Sequence, residues 1–245
     1  MEFFYAIILG VVQGLTEFLP VSSSAHLAII GKYLDINQPG ILFEVLLHAG
    51  TTLAVVWYFR EKILALKTND LILLALGTIP AALVGILFEE ELTNLFSFIK
   101  LIGVQLLITA FLNFRIDKHS GKREYLDKFD AVLMGIFQAI AIIPGISRSG
   151  ATIYAGTRMN ISKQKAAEFS FLLSIPAIIG ANLVEIVKHG GDGDFSLGLG
   201  LVGLVVAFAT GLLSINFLME MLSQRRLKFF SYYLIVIGLI TIFFL

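Results

Sequence analysis

Apolar positions in this chain fall in long unbroken runs, and the charged positions gather between them. Runs of about 20 residues with few charges are the mark of membrane-spanning helices. Six can be read, over residues 41–59, 71–88, 98–114, 166–187, 197–222 and 229–245. Residues 3–17 predict a further helix, apolar nearly all round, with Gln13 and Glu17 four apart on one face. Pro20 ends it, and Ser22, Ser23 and Ser24 stand as N-cap candidates for a second helix running to about Leu34. Gly77 and Pro80 predict a kink inside the second span.

The charges between the runs alternate in sign. Arg60, Lys62 and Lys67, then Arg115, Lys118, Lys122, Arg123 and Lys128, alternate with Glu89, Glu90 and Glu91. The positive-inside rule therefore places residues 60–70 and 115–128 in the cytoplasm and 89–94 outside. Residues 129–157 carry basic segments on both flanks, the second being Arg158, Lys163 and Lys165. One crossing would put a basic flank outside, so this stretch reads as a re-entrant hairpin with Pro144 and Gly145 at its tip; irregular backbone at that depth must be buried in protein or line a polar cavity. The same parity places residues 32–40, 188–195 (with Asp192 and Asp194) and both termini outside. Residues 1–30 then form a matching hairpin entering from the opposite side. Gly10, Gln13, Ser22 and Ser24 recur 125 positions later as Gly135, Gln138, Ser147 and Ser149. The expected fold is thus an all-α polytopic membrane bundle, with about six spanning helices plus two re-entrant helical hairpins. It forms one domain over residues 1–245, an inverted repeat of about 1–114 and 129–245 with both polar tips near mid-membrane.

Composition agrees with the membrane class. Of 245 residues, 57% are hydrophobic and 15% charged, against about 45–50% and 25% in a soluble domain. Eighteen basic and eighteen acidic residues cancel, leaving no basic field for nucleic acid. The absence of cysteine excludes disulfides, thiolate metal sites and cysteine nucleophiles. The N-terminus lacks a basic region ahead of its apolar run and is not read as a cleaved signal peptide.

Against this background the stretch QGLTEFLPVSSSAHL, residues 13–27, is conspicuous. Polar groups buried without partners cost roughly 2–7 kcal/mol each, so a cluster at membrane depth implies a site. One helix delivers Glu17; the next presents Ser22, Ser23 and Ser24 at its N-terminus, with His26 on the face of Ser22 and Ser23. Its echo carries Ser147-Arg148-Ser149. Serines and free N–H groups at a helix N-terminus, beside an arginine fork, suit an anion, and phosphate best. Glu17 suits a general base or a ligand for a divalent cation, Ser23 a nucleophile or an orienter of water, and His26 an acid for the leaving oxygen. Those roles describe phosphoryl hydrolysis, and an apolar bundle around a phosphate site suggests a lipid phosphate. The bland counterparts are serines used in helix packing and Arg148 as a structural partner of Glu17 or Glu168. Glu44 and His48, four apart in the first span, read equally as support for the site or as packing.

The two motifs resemble those of the bacitracin-resistance, undecaprenyl-diphosphate phosphatase family over nearly the whole chain. Residues 13–23 match its first signature, a Glu or Gln, three residues, then Glu; residues 144–152, PGISRSGAT, match its second. The resemblance implies conversion of undecaprenyl diphosphate to the monophosphate, recycling a lipid carrier for cell-envelope glycan synthesis and conferring bacitracin resistance. It also implies a divalent cation, Mg or Ca, and an active site in the cell membrane open to the outer face. Functional residues carried over by position are Glu17, Ser23, His26 and Arg148, with Gln13, Ser22 and Ser147 beside them; Ser24, Ser149 and Thr152 complete the expected substrate-binding set, and Glu17 and Gln13 are the expected metal ligands. Gln13 stands where many members have glutamate, and Ser24-Ala25 where many have Thr-Gly; a neutral Gln13 offers metal a carbonyl but cannot be the base. Ser23 is preferred over His26 as nucleophile. Expected partners are the polyprenyl diphosphate lipid and the bilayer, with a homo-oligomer left open. The competing reading is a secondary transporter or lipid-carrier flippase, since broken helices in inverted repeats also build transporters; such a carrier has no need of Glu17, Ser23 and His26 as a hydrolytic set.

Overall fold

A computed structural model describes residues 2–33, 41–119, 121–189 and 196–245. It comprises α1 (Glu2–Phe18), α2 (Ser23–Tyr33), α3 (Ile41–Tyr58), α4 (Arg60–Leu64), α5 (Thr68–Leu87), α6 (Glu89–Leu95), α7 (Ile99–Lys118), α8 (Lys128–Ile140), α9 (Arg148–Arg158), α10 (Lys163–His189), α11 (Leu197–Ser223) and α12 (Lys228–Phe244). Among the described residues there is no strand, only an isolated bridge between Arg123 and Ile161. The expected outer segments 34–40 and 190–195, with Asp192 and Asp194, lie outside the described residues.

Five helices, α3, α5, α7, α10 and α11, are long and apolar enough to cross a membrane, and α12 is a shorter apolar helix of 17 residues. These follow the six apolar runs in the sequence. At 1.5 Å per residue, the 11 residues of α2 and α9 and the 13 of α8 fall short of the roughly 30 Å hydrocarbon core. Pro80 lies inside α5 and Pro176 inside α10. The outer surface is apolar: Leu83, Leu213 and Phe243 are each more than half exposed, while Gln13, Thr109, Asn113, Thr152 and Ser170 are buried. That inside-out distribution belongs to an integral membrane protein, whose solvent is lipid.

Early and late helices interleave. α1 packs on α11, α8 on α5, α3 on α10 and α7 on α12, with α11 against α3 and α5 against α10. Close approach of α7 and α12 depends on Gly103 and Gly238: a Cβ on either would lie 2.8–2.9 Å from the other's carbonyl oxygen.

The basic loops meet at one end of the bundle. Lys62 and Lys165 both pair with Glu168. Lys163 lies 3.6 Å from Asp117, which also accepts the Lys228 N–H. Arg123 reaches the fully buried Asp130 at 2.5 Å, and the N–H groups of Lys122 and Arg123 donate to Asn160 O. At the other end Lys188 pairs with Glu89.

Candidate active site

The site forms where two helix breaks touch. α1 ends at Phe18 with Glu17 in its last turn, and the chain turns through Pro20 into α2, whose first residue is Ser23. Ser22, at the turn, has φ +71°, a left-handed conformation that costs a non-glycine residue about 1–3 kcal/mol and persists only when its surroundings enforce it. The second break, between α8 and α9, takes its positive φ of 90° at Gly145, where a Cβ would sit 2.7 Å from that of Gln105. Ser147 there has φ −69° and caps α9 by accepting the Gly150 N–H at 3.2 Å, so Arg148 opens the helix. The serine pairs recur as the 125-residue offset leads one to expect: Ser22 Oγ to Ser24 Oγ is 3.2 Å, Ser147 Oγ to Ser149 Oγ 3.1 Å.

Helix α7 holds both breaks. Asn113 Nδ2 donates to Pro20 O at 2.7 Å; Thr109 Oγ1 donates to Gly145 O at 2.9 Å and accepts the Ser147 N–H at 3.0 Å. The breaks meet directly where Ser149 Oγ donates to Leu19 O at 3.4 Å. Sequence reasoning missed Thr109 and Asn113, although a signal existed: Gln105, Thr109 and Asn113 form a polar stripe at spacing four in an apolar span.

At the centre lies Glu17, its side chain 8% exposed. Its Oε1 accepts from Arg148 Nη2 at 2.7 Å, and its Oε2 from Ser23 Oγ at 2.6 Å and Gln13 Nε2 at 3.1 Å. Arg148 Nη1 reaches Ser170 O at 3.4 Å. His48 joins from α3, its Nδ1 3.0 Å from Gln13 Nε2 and 3.9 Å from Glu17 Oε2. Glu168, the other partner considered for Arg148, is engaged by Lys62 and Lys165 instead.

Of the residues picked out from the sequence, Gln13, Glu17, Ser23 and Arg148 therefore come into one hydrogen-bonded cluster. Thr152 faces elsewhere, sharing a 2.6 Å contact with Ser170 Oγ and bonding to Arg148 O. His26 points away from Glu17: its Nδ1 lies 2.8 Å from Ser22 O and its Nε2 2.8 Å from the hydroxyl of Tyr233 on α12, a residue that sequence reasoning did not select. Chemically, the cluster is a carboxylate already accepting a serine proton, set beside a guanidinium and two helix N-termini. A carboxylate so placed has the geometry a general base needs, and the Arg148 guanidinium and the two helix N-termini have the sign that suits an incoming phosphate.

The donor set bears on a metal as follows. Among the described residues no three His, Cys, Asp or Glu side chains stand close enough to cage an ion. Gln13 Oε1, however, is a buried carbonyl oxygen with no hydrogen-bond partner, and a rotation of the amide that exchanges it with Nε2, now 3.1 Å from Glu17 Oε2, would turn it to the carboxylate. One carboxylate and one orphan carbonyl fit a cation of the Mg type, which is held by few protein ligands and mostly by substrate phosphates.

Fold and site together define an integral membrane protein with a buried carboxylate–arginine–serine centre at two broken helices. The chain belongs to the bacitracin resistance protein BacA family, whose model matches residues 6–240. It is 38% identical to an undecaprenyl-diphosphatase of Alkaliphilus metalliredigens, over 100% of this chain and 99% of that protein. Against proteins of the same name from Syntrophotalea carbinolica and Methanobrevibacter smithii it is 42% and 37% identical, covering 97% and 98% of this chain and 97% of each relative.

Proposed function

We propose that this protein hydrolyses undecaprenyl diphosphate, or a closely similar polyprenyl diphosphate, to the monophosphate and inorganic phosphate. The observation that carries this reading is the 2.6 Å hydrogen bond from Ser23 Oγ to Glu17 Oε2, with Arg148 on the other carboxylate oxygen. Arg148 leaves Glu17 in part to grip the terminal phosphate through its fork, helped by the N–H groups that open α2 and α9 and by the hydroxyls of Ser22, Ser24, Ser147 and Ser149. Ser23 Oγ attacks the terminal phosphorus as its proton passes to Glu17 Oε2. The bond from phosphorus to the bridging oxygen breaks, and its electron pair leaves on the polyprenyl monophosphate. Glu17 gives that proton to the departing monophosphate and then takes one from a water that attacks the phosphoserine; the bond from phosphorus to Ser23 Oγ breaks, Glu17 returns the proton to Ser23 Oγ, and inorganic phosphate leaves. Gln13 Oε1 and Glu17 would hold a divalent cation, Mg or Ca, whose charge offsets that of the diphosphate. The transporter reading is not favoured, because the relatives carry a hydrolase's name and a carrier gains nothing from the Ser23–Glu17 bond.

The topology belongs to the same reading: six spanning helices, with α1–α2 and α8–α9 as re-entrant hairpins of an inverted repeat. Its support is the pattern of neighbours. Exchanging α1 with α8, α2 with α9, α3 with α10, α5 with α11 and α7 with α12 turns each of the packings α1–α11 and α11–α3 into α8–α5 and α5–α10, and leaves α7–α12 and α3–α10 unchanged. The end where the basic loops meet is cytoplasmic, and the lipid phosphate enters from the outer face of the cell membrane. Phosphate release from a long-chain polyprenyl diphosphate by purified protein in detergent, with and without chelator, tests the activity. No release under any divalent cation would overturn it.

A further inference from the structure

His26 is placed to shape the site rather than to act in it. A carbonyl oxygen only accepts, so the 2.8 Å contact with Ser22 O puts the imidazole proton on Nδ1. Nε2 of the neutral ring is then an acceptor, and the Tyr233 hydroxyl donates to it at 2.8 Å. The two rings stack with centroids 5.7 Å apart and 13° between planes, and His26 is 7% exposed. Both ring nitrogens are thereby committed, and neither faces Glu17, Ser23 Oγ or Arg148.

What the imidazole holds, at 2.8 Å and alongside a longer 3.3 Å bond from the His26 backbone N–H, is the carbonyl of the peptide between Ser22 and Ser23. Ser22 carries φ +71°, and its carbonyl orientation sets where the next residue starts and where Ser23 Oγ points. The second hairpin supplies an internal comparison. At the position matching Ser22, Ser147 has an ordinary φ of −69°; the positive φ falls on Gly145, and the position matching His26 is Ala151. An imidazole stands only at the break whose left-handed residue has a side chain and whose next residue donates to Glu17.

We propose that Tyr233, His26 and the Ser22 carbonyl form a clamp in which His26 is a positioning residue, holding the Ser22–Ser23 peptide so that Ser23 Oγ meets Glu17 Oε2. The proposal rests on the reading of Ser23 as nucleophile. Tyr233 reaches the reaction only through His26, and belongs to it because its hydroxyl fixes the tautomer that donates to Ser22 O.

The test uses the full chain in detergent, with kcat and KM measured separately for phosphate release from a polyprenyl diphosphate. In His26→Asn the amide N–H falls near the place of Nδ1 and can still donate to Ser22 O, but nothing titrates. His26→Gln places its amide near Nε2 and leaves Ser22 O only the backbone N–H of residue 26, at 3.3 Å. The expected result is that His26→Asn keeps kcat within about tenfold of wild type, whereas His26→Gln and His26→Ala lose about 10²-fold or more, the scale of a misplacement near 1 Å. Tyr233→Phe, which keeps the ring, should lower kcat several-fold with KM unchanged. A folded His26→Asn as inactive as His26→Ala would overturn the clamp and return His26 to the reacting atoms. Wild-type kcat in Tyr233→Phe would overturn it even if the His26 variants fail to fold. Ser23→Ala, measured alongside, separates the two failures: a wild-type rate there sinks the nucleophile reading itself, while loss there with an unaffected Tyr233→Phe sinks the clamp alone.

Discussion

Replacing Glu17 by Gln is the most searching perturbation of this centre, because one carboxylate serves three donors. Oε1 accepts from Arg148 at 2.7 Å, and Oε2 from Ser23 at 2.6 Å and Gln13 at 3.1 Å. The amide is nearly isosteric. Its oxygen can keep the Arg148 bond, and its NH2 then faces Ser23, which can accept, and the Gln13 NH2, which cannot. Gln13 relieves that clash by turning its orphan Oε1 inward. Packing should therefore survive, with a stability loss below the ~3–5 kcal/mol that removal of one partner of a buried ion pair costs. Chemistry should not survive, since an amide takes no proton from Ser23. Loss of a general base is worth about 10²–10⁴ in rate, or about 2.7–5.4 kcal/mol at 1.36 kcal/mol per factor of ten. Binding should change in the opposite direction. Arg148 no longer has an anionic partner to leave, and the phosphate no longer approaches a carboxylate, so the KM for the lipid diphosphate should fall. The assay is steady-state phosphate release, with thermal unfolding in detergent as the check on folding and added pyrophosphate as a probe of the vacant Arg148. Pyrophosphate should raise the unfolding temperature more in the variant than in wild type. Wild-type turnover in folded Glu17→Gln would refute Glu17 as the base; a raised KM that persists at saturating divalent cation, where loss of the Glu17 ligand no longer limits binding, would refute Arg148 as the phosphate-binding group that Glu17 holds in reserve.

Arg148→Lys keeps the charge but loses the planar fork, and should fall by at least about 10²-fold in kcat/KM, measured on the same substrate. Ser22→Ala and Ser24→Ala should cost less kcat than Ser23→Ala, because only Ser23 donates to Glu17. At the basic end, Arg123→Leu strands the fully buried Asp130 and should destabilise the protein by about 3–5 kcal/mol, read by denaturation in a mild detergent series. The Asp127 carboxyl caps α8 and is held below the ordinary aspartate range, first by the Asp130 N–H and, against a partial desolvation, by the Arg123 charge. A carboxyl so depressed contributes stability that is complete above its unfolded value and lost as pH falls through the folded one. Hydrogen exchange in the first turn of α8 should therefore quicken only in strong acid, and Asp127→Asn should remove that pH dependence. Single cysteines at positions 119 and 160 should label from one side of the membrane, since Arg158 Nη1 lies 2.7 Å from His119 Nε2 and Arg123 bonds to Asn160 O; labelling from opposite sides would sink the hairpin reading of α8–α9.

Local information in the chain was enough for the class of protein and for the places where its helices stop. Long apolar runs report a solvent of lipid whatever the tertiary arrangement, and Pro20 and the 144–145 Pro-Gly pair interrupt a helix through their own backbone geometry. The i, i+4 spacing of Gln13 and Glu17 likewise needed no fold to place both on one face. Only the tertiary structure decided the rest. Glu17 and Arg148 are 131 positions apart, and either Glu17 or Glu168 would have answered the sequence's demand that a buried arginine be paired; the fold gives it Glu17 because the two breaks are tied to one helix by Asn113 and Thr109. His26 shares a helical face with the serines by spacing, yet its ring turns to Tyr233, 207 residues away. The direction of a side chain around its helix is set by the neighbour that offers a hydrogen bond and a packing surface, and for α2 that neighbour arrives from the last helix of the chain.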